Sequence, residues 1–78
     1  MAVSDRKRVL HLPTNGDTVS GRQIVQAFWA TGAVTVKNGD GEIIWITSGE
    51  NEITFGCGLQ VDGIEKDAGA GELYVYLK

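Results

Sequence analysis

A chain of 78 residues with 42% apolar side chains has room for one compact domain around a thin core. Its single cysteine and single histidine leave no disulfide and no ordinary zinc ligand set to reinforce that core, which favours self-association, with a well-packed monomer as the alternative. The net charge of −3 is uneven: beyond residue 8, four basic side chains stand against nine acidic ones, and a body of about −5 repels nucleic-acid backbones.

The chain opens with Arg6, Lys7 and Arg8 beside Asp5, a basic cluster that reads as a solvated arm or edge segment over residues 1–8, able to touch a phosphate or an acidic partner. No apolar run has transmembrane length, and the start lacks the hydrophobic segment of a secretion signal, which points to a reducing cytoplasm and away from membranes. Residues 9–78 then read as a single β domain. Runs rich in Val, Ile, Trp, Tyr and Thr are punctuated by turn signals at 14–17, 20–21, 31–32, 38–41, 48–51, 56–58 and 67–71. Such spacing predicts a small all-β antiparallel sandwich or barrel of six to eight short strands, near 7–12, 17–19, 23–30, 33–37, 42–47, 51–55, 59–65 and 72–77. Segment 21–30 has a helical alternative, because Ser20 and Gln23 have capping-box spacing and Ile24, Ala27 and Phe28 helical spacing. Gly21 in the first turn and the adjoining apolar Val25 and Trp29 favour strand.

The stretch VTVKNGDGEIIWI, residues 34–46, contains the most site-like loop of the chain. A phosphate cradle would need a helix N-terminus or an aimed basic residue, and a calcium loop would need carboxylates at alternate positions with a later bidentate Glu. Neither pattern is complete here, whereas a hairpin turn explains each residue: Gly, Asn and Asp tolerate the positive φ that such turns require. A loop at 38–41 or at 39–40 predicts Lys37 opposite Glu42, Val36 opposite Ile43 and Val34 opposite Trp45. That register places Ile44 and Ile46 with Thr35 on the face away from Trp45, so apolar side chains occupy both faces, and a second sheet or a partner must cover one of them.

The remaining strands carry no recognisable reaction chemistry. His11, in RVLHLP, reads as a partly buried strand residue without a nucleophile beside it. Cys57, between two glycines, has no basic neighbour in sequence to activate it and reads as an inert residue of a loop or bulge. The acidic residues scatter over turns and strand ends of a chain that offers little room for a cleft. No catalytic, cofactor-binding or metal-ligating residue is assigned. The last strand alternates cleanly: Leu73, Val75 and Leu77 point one way, and Glu72, Tyr74, Tyr76 and Lys78 the other. Tyr74 and Tyr76 could stack nucleic-acid bases, as in small single-strand-binding barrels, but Glu72 shares their face and the body is acidic.

Three segments together, VTVKNGDGEIIW, ITFGCGLQVDGI and the closing GAGELYVYL, resemble small virion proteins of tailed bacteriophages. Those chains often run as a VTVKDGDG-like hairpin, an I-x-F-x-x-GLxVDG strand pair and a terminal G-x-G-x-x-x-VYL strand. The likeness spans residues 32–78. It implies a non-enzymatic decoration or cement protein on the capsid surface, self-associated as a homotrimer and in contact with the major capsid protein or another virion component, in head, neck or tail. Candidate interface residues are then Arg6, Lys7 and Arg8 of the basic arm, Ile44 and Ile46 of the hairpin, and the outward Tyr74 and Tyr76.

Overall fold

The computed structural model describes residues 9–78, so Arg6, Lys7 and Arg8 lie outside the described residues. Six strands form one antiparallel sheet: β1 (Val9–Leu12), β2 (Thr18–Ala30), β3 (Val34–Asn38), β4 (Ile43–Thr47), β5 (Asn51–Ala68) and β6 (Leu73–Leu77). Their order across the sheet is β1-β6-β2-β5-β3-β4. The protein is all-β, and segment 21–30 is strand. The sheet is not closed into a barrel: β1 and β4 end it, and among the described residues nothing pairs them with each other.

The expected strands at 17–19 and 23–30 are one strand, as are those at 51–55 and 59–65. Two glycine-marked positions that look like strand ends are kinks inside strands. At the first, Val19 faces Ile64 and Arg22 faces Asp62, so Ser20 and Gly21 together oppose Gly63 in a β-bulge. At the second, the register passes from Val25 opposite Leu59 to Ala27 opposite Thr54, and Phe55, Gly56, Cys57 and Gly58 bow out against Gln26. In both cases the ladder resumes with the same partner strand, because the apolar residues beyond each kink still have a core to enter.

The kinks accompany a sheet that curls over its own face. Phe28 of β2 is separated from β4 by two intervening strands, yet its ring stacks on Trp45 at 5.4 Å between centroids and meets Phe55 edge-on at 5.8 Å. Inside the curl lie Leu12, Val25, Phe28, Ala30, Val34, Val36, Val61, Ile64, Leu73 and Val75, all buried in one cluster drawn from β1, β2, β3, β5 and β6. β6 follows its expected alternation, with Leu73 and Val75 buried and Tyr74 and Tyr76 on the opposite face, since β1 and β2 flank it in unbroken register from Leu73 to Tyr76.

One charged residue is buried among those described. Lys66 of β5 is 1% exposed. It follows Ile64 by two positions, so the strand's alternation aims it inward. Its ammonium donates to the Asn15 side-chain oxygen and to the Gly69 carbonyl at 2.9 Å. The backbone of the same residue accepts from the Gly16 amide and donates to the Asp17 carbonyl, at 2.8 and 3.0 Å. Lys66 thereby pins the β1–β2 connection and the β5–β6 turn to one end of the core.

Candidate interaction surfaces

The NGDG segment is the loop of the β3–β4 hairpin, and it has three residues, where the sequence suggested two or four. The Asn38 amide donates to the Glu42 carbonyl at 2.9 Å, closing a loop of Gly39, Asp40 and Gly41, and the Gly41 amide donates back to the Asn38 carbonyl at 3.0 Å. Gly41, at φ +87°, occupies the left-handed region that a three-residue hairpin loop requires at this point. The Asn38 side chain finishes the turn: its oxygen accepts from the amides of Asp40 and Glu42, and its nitrogen donates to the Glu42 carboxylate at 3.0 Å. The loop also rests on the sheet, because the Gly39 amide donates to the Asp62 carbonyl at 2.8 Å and a Cβ at Gly39 would collide with that oxygen.

Loop length and a bulge together shift the expected register. Lys37 faces Ile43, Val36 faces Trp45, Thr35 faces Ile46 and Val34 faces Thr47, which leaves Ile44 as the extra residue of β4. Lys37 accordingly pairs with Asp67 at 3.4 Å rather than with Glu42. The bulge also separates the two isoleucines expected on one face. Ile44 is half-buried and packs against the core, while Ile46 is 63% exposed and Ile43, unexpectedly, 58%. With Ile24 these are the exposed large apolar side chains among the described residues. β4 is therefore an end strand of uncharged sequence, IIWIT, bonded to β3 along one side and carrying two of those three side chains.

Across the molecule, the outer face of β6 carries an aromatic row. His11, Tyr74 and Trp29 are register partners on β1, β6 and β2. The His11 and Tyr74 rings stack at 4.4 Å and 9°, and Trp29 tilts against Tyr74 at 5.0 Å. His11 is on a strand as expected, but it is exposed rather than partly buried, and its Nε2 lies 2.7 Å from the Glu72 carboxylate. Tyr74 and Tyr76 are half-buried. Because Tyr74 is already stacked between two neighbours, the row is a packed surface more than an open platform for bases.

The site residues expected from sequence do not converge. Ile46 belongs to the β4 edge, Ile44 to the rim of the core, and Tyr74 and Tyr76 to the far side of the sheet. Beside the hairpin loop a surface depression of about 460 Å³ is lined in part by Ser20, Asp40, Asp62 and Glu65, so the charges around it are acidic. Among the described residues no group of three or more His, Cys, Asp or Glu is placed to hold a metal ion, and Cys57 is exposed in the β5 bulge. No family model, curated protein or solved structure matches the chain. Sequence reasoning missed Ile43, Trp29 and Lys66. The inward phase of Lys66 two residues after Ile64 was a usable signal, whereas Ile43 depended on a bulge that nothing in IIWIT marks.

Proposed function

We propose that this protein is a non-enzymatic structural component of a tailed-bacteriophage virion, a decoration or cement protein that self-associates on the capsid surface as a trimer and contacts the major capsid protein. The observation that carries this reading is the β4 edge, where an uncharged end strand holds Ile43 and Ile46 in solvent on an otherwise acidic chain. Long apolar edges are an aggregation hazard for a protein that works alone, and become useful when a neighbour covers them. The sequence resemblance over residues 32–78 supplies the kind of neighbour. An open six-stranded sheet with its interior already filled offers little as a catalytic vessel, and the engaged rings of the β6 face favour protein contact over base stacking.

Mass spectrometry of purified particles tests the reading. The protein is expected in stoichiometric amounts in particles and to be lost, with reduced shell stability, when its gene is deleted. Its presence in infected-cell lysate together with its absence from particles would refute a virion role.

A further inference from the structure

The sheet ends in two strands, and among the described residues each lacks a partner along one side: β4 at one end and β1 at the other. We propose that β4 of one copy pairs with β1 of a second copy, so that successive subunits continue one sheet around a closed ring. This rests on the self-associating reading above and names the surfaces that carry it.

Three observations select this pairing. First, an unpaired edge exposes a row of main-chain donors and acceptors, and the chemistry that satisfies them is another extended strand. Second, β4 itself is uncharged but is bracketed by the exposed carboxylates Glu42 and Glu50, whereas β1 follows directly on Arg6, Lys7 and Arg8 in the sequence. Lys37, on the neighbouring strand, is already engaged by Asp67 and does not offset those carboxylates. Antiparallel pairing of two β4 strands would bring Glu42 of one copy toward Glu50 of the other. Pairing β4 with a second copy's β1 avoids that like-charge contact and joins the strand flanked by carboxylates to one that has no carboxylate and follows a basic run in the sequence, which is the charge-complementary choice. Third, the contact joins two different surfaces, so each copy both gives and receives one edge and the chain of contacts ends only when the ring closes, as a trimer does. A closed ring leaves no free end strand and covers Ile43 and Ile46.

The test uses the full chain in solution. In light scattering, the wild type is expected at the mass of three chains and Ile46→Lys at that of one, 8.4 kDa, with an unchanged far-ultraviolet circular dichroism spectrum because the residue is exposed. Reversing all three charges of the basic cluster to Glu should weaken self-association by about tenfold or more, and added salt should weaken the wild type. In a Cys57→Ser background, copies carrying Ile46→Cys mixed with copies carrying His11→Cys should be joined by a short bis-maleimide, with no product from Ile46→Cys copies alone. An Ile46→Lys protein that keeps the wild-type mass, or cross-linking between two Ile46→Cys copies, would overturn the pairing while leaving self-association intact. A wild type that is monomeric at high concentration would overturn it too, and the particle measurement would still decide the virion role by itself.

Discussion

β6 and β4 are both five-residue strands rich in apolar and aromatic residues, LYVYL and IIWIT, and they behave differently. β6 has a partner on each side, keeps its period of two, and sorts leucine and valine inward and tyrosine outward as counting predicts. β4 has one partner and a bulge beside Lys37, so the same counting puts Ile44 on the wrong face and gathers Ile43 with Trp45 on the inner one, where it does not lie. A strand held from both sides cannot absorb an extra residue without breaking two ladders. A strand held from one side can, and an end strand is also where exposed apolar groups can meet a second molecule.

The comparison can be broken most severely at the residue that links the two regions. Phe28 is fully buried between Trp45 and Phe55, and Phe28→Ala is expected to cost about 3–5 kcal/mol in urea denaturation, because its cavity would separate the β4 side of the core from the β2 side. Lys66→Met should keep the buried stem but orphan the Asn15 and Gly69 acceptors, for a loss of about 1–3 kcal/mol and faster amide exchange at Gly16. The bulge itself is tested by a pair of substitutions. Ile44→Thr should destabilise the chain by about 1 kcal/mol, and Ile46→Thr by less than about 0.5 kcal/mol in the monomer. Equal effects, or the reverse order, would restore the unbulged register. Between those two values lies the turn: Asn38→Ala removes three side-chain hydrogen bonds at an exposed hairpin and should cost about 0.5–1 kcal/mol, read as a lowered denaturation midpoint with an unchanged slope.

Much of the fold was legible because its signals are local. Val, Ile, Tyr and Thr runs between Gly-rich turns marked the strands; Asn38 to Gly41 marked a hairpin, since few other residues accept its backbone angles; and the alternation of 73–77 marked two faces. The count of strands was not legible, because Gly21, and Gly56 with Gly58, signal a bend equally well whether the ladder stops or resumes beyond it. Of the candidate interface, Ile46 was found on the exposed edge, while Ile44 was misplaced, and Ile43, counted with Trp45 and so left out of the interface, is exposed. His11 was expected to be partly buried, yet it is exposed, stacked on Tyr74 of β6 with its Nε2 beside the carboxylate of Glu72, 61 residues along the chain, a setting no local pattern announces.

By itself the sequence determined the all-β class, the places where the chain bends and the inner and outer sides of β6, because steric preferences at glycines and the two-residue period of a strand act between near neighbours. Tertiary structure decided which kinks interrupt a strand and which merely bend it, which isoleucines reach solvent, and why a lysine lies in the core. Those outcomes follow from pairing and burial between residues far apart in the chain, where one extra residue in a ladder or one distant carbonyl reverses what local pattern suggests.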